Sequence, residues 1–162
     1  MIVLISVISF LLDGIISKYT TNSVFLNLFT ISSSVLIYPY FNNNRFRYFK
    51  YIAILGVLYD IAYTNNLLFN TFIFILIGLI VSLFSYFLSN KWYINVVINI
   101  VVIVFYRIIT YLFFITFSDF NFDILILFKS IYSSIILNTI YFIFVYGLTE
   151  FYSNKHKIVR IK

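Results

Sequence analysis

The stretch that decides the fold reads Leu55-Gly56-Val57-Leu58-Tyr59-Asp60-Ile61-Ala62-Tyr63-Thr64. It places one carboxylate, that of Asp60, within an otherwise apolar segment of helical length. The surrounding chain is 63% hydrophobic and only 10% charged. An ionisable side chain in such a setting is costly and is kept where it has a partner or a function. Asp60 is therefore the first residue to explain.

The composition indicates an integral membrane protein. The mean hydropathy is +1.04, which is too high for a protein with a water-soluble surface. Because a spanning helix needs about 20 residues, the 162 residues predict an all-α, polytopic transmembrane bundle with about six spans. We expect one bundle over residues 1–152 and a basic cytoplasmic tail over residues 153–162. Cysteine is absent, so thiolate metal sites and disulfides are excluded.

The apolar runs set the boundaries of the predicted spans. The third run is short for a span at about 1.5 Å per residue, so we expect its helix to begin in the basic loop before it, where Arg47 and Lys50 can extend their charges to the interface. The six predicted spans are residues 2–17, 24–41, 51–64, 67–88, 93–117 and 124–152.

Lysine and arginine predict the orientation of the bundle. Loops rich in these residues stay on the cytoplasmic side. In a six-span arrangement the basic loop after the second span, Lys91 and the tail all fall on one side. Lys18, Asp119 and Asp123 fall on the other. The sequence thus predicts a multi-pass protein of the bacterial inner membrane with both termini in the cytoplasm.

Four ionisable residues lie inside the predicted spans: Asp13, Asp60, Arg107 and Lys129. Two are acids and two are bases, and a lone charge near the bilayer centre costs roughly 3 kcal/mol or more. We therefore expect a paired polar cluster in the outer half of the bundle. Such a cluster could serve as a proton relay or substrate cavity, or it could orient the helices and dock a partner helix; the second interpretation is favoured because no histidine accompanies the carboxylates.

The sequence gives little support for catalysis. The single histidine, His156, lies in the tail, and four glycines form no phosphate-binding loop. We expect no enzyme activity, no cofactor and no bound metal. We also expect no nucleic-acid partner, because the net charge of +6 is accounted for by topology; the expected surroundings are the lipid bilayer.

The segment Gly56-Val57-Leu58-Tyr59-Asp60 resembles the Gly-Leu-Leu-Tyr-Asp segment of the rod shape-determining MreD family. It follows a basic loop and precedes a short turn into a long apolar helix, as in that family. Leu137-Asn138-Thr139 in the last span resembles the late asparagine of the family, and length and span count agree over essentially the whole chain. Asn65-Asn66 departs from the glycine or small residues that many members have after the aspartate.

The resemblance implies a non-enzymatic scaffold of the bacterial elongasome, the complex that controls cell shape through peptidoglycan synthesis. Its implied partners are an MreC-like protein and, through it, the MreB cytoskeleton, a RodA-type glycosyltransferase and a transpeptidase. The implied site positions are Gly56, Tyr59, Asp60 and Asn138, which would build the polar interior or a groove for a partner helix. Asp13, Arg107 and Lys129 join them from the charge analysis.

A second hypothesis belongs to another class. The predicted bundle also resembles the substrate-binding subunits of energy-coupling-factor vitamin transporters, whose pockets open outward, and the polar cluster would suit a polar ligand. Those subunits are expected to present alanine-rich motifs to their energising partner. Here Ala53 and Ala62 are the only alanines, which favours the scaffold.

The predicted orientation can be tested with a topology reporter. A fusion after Lys162 that is active only in the cytoplasm should be active, and a fusion in the loop at residues 118–122 should be inactive. The opposite pattern would contradict the orientation inferred from the charges.

Overall fold

The protein is almost entirely helical over the residues that its computed structural model describes, which are 1–19, 28–41, 44–63, 68–88, 91–117 and 123–155. Within these residues six α-helices follow one another along the chain, and no strand occurs. They are α1 (Ile2–Tyr19), α2 (Phe29–Ile37), α3 (Arg45–Tyr63), α4 (Phe69–Phe87), α5 (Trp92–Phe117) and α6 (Ile124–Lys155). The prediction of an all-α fold is confirmed.

Three helices are long and apolar enough to cross a membrane. They are Phe69–Phe87, Trp92–Phe117 and the Ile124–Tyr152 part of α6. At about 1.5 Å per residue, even the shortest of them measures about 28 Å, close to the thickness of a hydrocarbon core. The chain is therefore described as a membrane protein, and the number of passes, about six, stays a prediction.

Two helix boundaries differ from a simple assignment by hydropathy. Helix α3 begins at Arg45, inside the basic loop, as the sequence predicts from the shortness of its apolar run.

Helix α2 has only nine residues and passes at Tyr38–Phe41 into a 3₁₀ turn, although the sequence predicts one span over residues 24–41. Pro39 has no N–H to donate and disrupts an α-helix, which accounts for the tighter turn. Residues 20–27 lie outside the described part.

Helix α6 is longer than predicted, because it continues to Lys155 and so includes the first residues of the expected tail. Residues 156–162 lie outside the described part. At 32 residues, α6 is about 48 Å long. It therefore exceeds the thickness of a bilayer core and must project beyond it at one end or both, or tilt.

The short helix α2 lies at the centre of the bundle. All nine of its residues are buried, and it contacts α1, α4, α5 and α6. Three consecutive serines in α2, Ser32 to Ser34, are small enough for neighbouring helices to approach closely. The hydroxyl groups of Ser33 and Ser34 donate to carbonyl oxygens of their own helix at 2.7 and 2.6 Å. A nine-residue helix spans about 14 Å, so one end of α2 lies inside the bundle.

An aromatic cluster holds the other end of α2. Tyr48 of α3 is completely buried and donates its hydroxyl to the carbonyl oxygen of Ser34 at 3.1 Å. The Tyr48 ring packs edge-on against Tyr38 and Phe41, with centroid distances of 4.8 and 5.5 Å. The 3₁₀ turn, and with it the C-terminal end of α2, is thereby fixed to α3. Other residues hold the start of α2.

Candidate functional site

The start of α2 is held by two side chains from other helices. The Asp13 carboxylate of α1 accepts hydrogen bonds from the backbone N–H groups of Phe29 and Thr30, at 2.9 and 2.8 Å, and from the Thr30 hydroxyl at 2.6 Å. The Asn138 side-chain oxygen of α6 accepts the N–H of Leu28 at 2.8 Å. The first N–H groups of a helix have no acceptors within it. Away from water they need acceptors from elsewhere in the protein, and Asp13 and Asn138 supply them.

Asp60 holds the start of α4 in the same way. Its carboxylate accepts the backbone N–H groups of Asn70 and Thr71, both at 2.9 Å, together with the Asn70 side-chain amide at 3.0 Å and the Thr71 hydroxyl at 2.7 Å. The residue before α4, Leu68, has a φ of 67° and provides no side-chain cap. The acceptor that a local serine or aspartate would ordinarily provide comes instead from α3.

The two carboxylates therefore have the same role. Each accepts N–H groups from two consecutive residues and the hydroxyl of a threonine at the start of the following helix. The start of a helix carries about half a positive charge, so this arrangement satisfies both the hydrogen bonds and much of the charge of a buried carboxylate. Asp13 is 3% exposed and Asp60 is 2% exposed, which makes this compensation necessary.

A third helix is joined to the Asp60 site through Asn70. The Asn70 side-chain oxygen accepts the Tyr106 hydroxyl of α5 at 3.1 Å. Because the Asn70 amide nitrogen donates to Asp60, the orientation of this amide is determined on both sides. A continuous chain of hydrogen bonds thus runs from α3 through α4 to α5.

Arg107, the neighbour of Tyr106, joins α5 to α6. Its guanidinium donates to the Ser134 hydroxyl through Nε at 2.8 Å and also through Nη2. The carbonyl of Ser134 accepts the Asn138 side-chain amide at 2.8 Å, and Asn138 holds the start of α2. The side chains of Arg107 and Asn138 are therefore part of one buried polar layer that includes the start of α2.

The structure buries most of the predicted site residues. Asp13, Asp60, Arg107, Asn138 and Tyr59 are all buried. Lys129 is on an exposed part of α6, so the polar interior does not include it, although the sequence groups it with the other three charges. The described partners of the carboxylates include helix N–H groups and threonine hydroxyls, and the helix starts contribute partial positive charge where the sequence predicts basic side chains.

Gly56 and Tyr59 have clear structural roles beside Asp60. A Cβ atom on Gly56 would lie 2.6 Å from the Cα of Thr71, so glycine lets α3 and α4 approach closely at the residue that Asp60 binds. The Tyr59 ring packs against Tyr63 and Phe74, with centroid distances of 4.9 and 5.6 Å. The segment from Gly56 to Asp60 is therefore one structural unit, the junction of α3 with α4.

Four further residues were not predicted from the sequence as part of the site: Thr30, Asn70 and Thr71, which complete the two caps, and Ser134, which accepts from Arg107. A signal for them exists, because threonine and asparagine within the first turn of an apolar helix are typical of helix starts. The pattern does not show which carboxylate binds each helix start. Spacing along the chain differs between the two sites, since Asp13 and Thr30 are 17 residues apart and Asp60 and Thr71 are 11 apart.

The polar interior continues beyond the helix caps. Asn99 of α5 and Ser32 of α2 are both 0% exposed, and within the described residues neither the Asn99 amide nor the Ser32 hydroxyl has a hydrogen-bond partner. In the same part of the chain, no three His, Cys, Asp or Glu side chains come together as a group that could hold a metal ion.

Comparisons of the chain with protein-family models, with curated proteins and with solved structures found no match.

We expect Asp60→Asn to destabilise the protein by about 1–3 kcal/mol, because an amide has one acceptor oxygen where the carboxylate accepts on two. In detergent this should lower the midpoint of thermal unfolding by several degrees. Asp123→Asn is the matched control: the Asp123 carboxylate accepts the N–H of Leu125 at 2.9 Å at an exposed helix start, where asparagine caps as well as aspartate. Equal losses for the two variants would contradict the role assigned to Asp60.

Gly56→Ala should also destabilise the bundle, because the new methyl group meets the backbone of α4 and would push the helices apart. Overpacking of this kind typically costs about 1–3 kcal/mol. Gly147→Ala is the control, since a Cβ there has no atom within 4 Å and alanine favours a helix. Thermal unfolding of the two variants should therefore move in opposite directions, and a neutral Gly56→Ala would show that α3 and α4 do not depend on this approach.

Proposed function

We propose that this chain is a non-enzymatic component of the bacterial wall-elongation complex, binding an MreC-like protein. Through that partner it would help to link the MreB cytoskeleton to a RodA-type glycosyltransferase and a transpeptidase. We place it in the cytoplasmic membrane as a bundle of about six spans with both termini in the cytoplasm. Its overall form would be similar to that of energy-coupling-factor substrate-binding subunits.

The observation that carries the proposal is the structural role of the Gly56–Asp60 segment. This is the segment in which the chain resembles the MreD family. Gly56 permits the close approach to α4, Tyr59 packs in the core, and Asp60 caps α4. Asn138, the other position of resemblance, caps α2. The resembling residues therefore support the bundle itself, which is what a shared fold requires of them.

The use of the buried polar groups favours a scaffold over a transporter subunit. A substrate-binding subunit would need side chains directed into an outward pocket. Asp13, Asp60 and Asn138 instead bind helix starts, and Arg107 binds Ser134 on the neighbouring helix. These bonds hold the interior in one arrangement, which suits a protein whose outer surface binds its partner.

Depletion of the chain from its own bacterium tests the proposal. Cells should lose their rod shape and become round, and an affinity-tagged copy should co-purify the MreC-like protein. Re-expression of the wild-type chain or of Asp123→Asn should restore rods. Asp60→Asn should restore them poorly, with membrane levels of each variant measured by immunoblot.

Two results would overturn the proposal. One is unchanged cell shape after complete depletion. The other is co-purification with a nucleotide-hydrolysing module and a bound vitamin, which would assign the chain to the transporter class.

A further inference from the structure

The side-chain amide of Asn99 in α5 is a buried polar group that the protein itself leaves unsatisfied. Asn99 is 0% exposed, and among the described residues neither its Oδ1 nor its Nδ2 atom has a hydrogen-bond partner. A carboxamide can donate two hydrogen bonds and accept two. Buried polar groups are nearly always satisfied, and the hydrocarbon around a membrane protein offers them no donor or acceptor. Asn99 therefore points to a bound polar molecule.

Ser32 of α2 has the same unmet need. Its neighbours Ser33 and Ser34 donate to carbonyl oxygens of their own helix, as serine commonly does within a helix. The Ser32 hydroxyl is equally buried, yet in the part of the chain that the structure describes it makes no hydrogen bond. Within the serine triplet, its hydroxyl is the one that is left to bind a ligand.

Asn99 lies near the level of Phe142 in the bundle. Arg107 of α5 donates to Ser134 of α6. These two helices run in opposite directions, because the C-terminal end of α5 lies beside the N-terminal end of α6. Asn99 is eight residues before Arg107, and Phe142 is eight residues after Ser134, so both lie about 12 Å from that bond along their helices.

Ser32 lies at the same level. Asn138 of α6 accepts the N–H of Leu28, and the next residue of α2 packs against a ring further along α6, so the two helices run in the same direction. Ser32 is four residues after Leu28, and Phe142 is four residues after Asn138. Because α2 also contacts α5, Ser32 and Asn99 lie at one level of two neighbouring helices.

We propose that Asn99 and Ser32 form a binding site for an internal water molecule between α2 and α5. The ligand must be small, because both residues are fully buried. It must both donate and accept, because the amide and the hydroxyl do both. Water meets these requirements, and internal waters typically bond to groups that are otherwise unsatisfied. A metal ion such as Ca²⁺ would be held by a larger set of oxygen ligands.

The water would hold the middle of α2. Asp13 and Asn138 bind the start of this helix, and the Tyr48 hydroxyl binds the carbonyl oxygen of Ser34 near its end. A water that bonds to Ser32 and to Asn99 joins the segment between them to α5. This site does not depend on the proposed function, since it concerns only the interior of the bundle.

A double-mutant cycle followed by thermal unfolding in detergent tests the bridge. Asn99→Leu and Ser32→Ala each remove one side of it, and each should lower the unfolding midpoint by several degrees. The double variant should lose little more than the more damaging single variant, because the second substitution removes a group that has already lost its partner. Ser33→Ala is the matched control: its hydroxyl bonds within its own helix, so its effect should add to that of Asn99→Leu.

Two results of the cycle would contradict the site. If both single variants raise the midpoint, the wild-type amide and hydroxyl are unbonded and no water joins them. If the losses from Asn99→Leu and Ser32→Ala simply add, as they should for the control pair, the two side chains do not share a ligand.

Radiolytic labelling detects the water in the unmodified protein. X-ray pulses convert a bound water into a hydroxyl radical, which oxidises the side chain beside it. In isotopically labelled water, Phe142 should acquire the label although it is 0% exposed, whereas Phe74 of α4, which is equally buried, should not. The label on Phe142 should be lost in Ser32→Ala. Labelling of Phe142 no stronger than that of Phe74 would overturn the proposal.

Discussion

The fold depends on the need to satisfy backbone N–H groups where a helix begins inside the bundle. Helix α2 begins inside the bundle, since its nine residues are too few to reach from one side of a membrane to the other. Without water, each unmet N–H group costs several kcal/mol. Asp13 and Asn138 meet this need from two different helices, so the position of α2 is determined by α1 and α6 together. Since α2 also contacts α4 and α5, its position affects most of the bundle.

The chain is also organised into three helical pairs, each joined by a side-chain hydrogen bond. In each pair the first helix carries one buried ionisable side chain that bonds to the second: Asp13 to α2, Asp60 to α4 and Arg107 to α6. Further bonds join the pairs, since Tyr106 donates to Asn70 and Asn138 accepts from Leu28. Polar bonds of this kind act in addition to packing, which is the main source of helix association in lipid. They specify which helices are neighbours.

Much of the fold could be predicted from the sequence, because it follows from hydropathy and charge. The helical class, the start of α3 in the basic loop and the burial of Asp13, Asp60 and Arg107 all rest on local patterns. The start of α2 could not be predicted in this way, because hydropathy does not show which distant side chains will bind the first N–H groups of a helix. Its start depends on contacts with Asp13 and Asn138, which are 16 and 110 residues away along the chain.

From the sequence, we expect the buried acids to pair with the buried bases. This expectation illustrates a general difficulty in interpreting the sequences of membrane proteins. A balanced count of buried charges suggests ion pairs, but a carboxylate can also be compensated by the start of a helix, which contributes N–H donors and a partial positive charge without any basic residue. Asp13 and Asp60 both accept hydrogen bonds from the start of the following helix, and Lys129 is exposed on α6. A better prediction would search, for each buried aspartate, for a following helix that begins with threonine or asparagine.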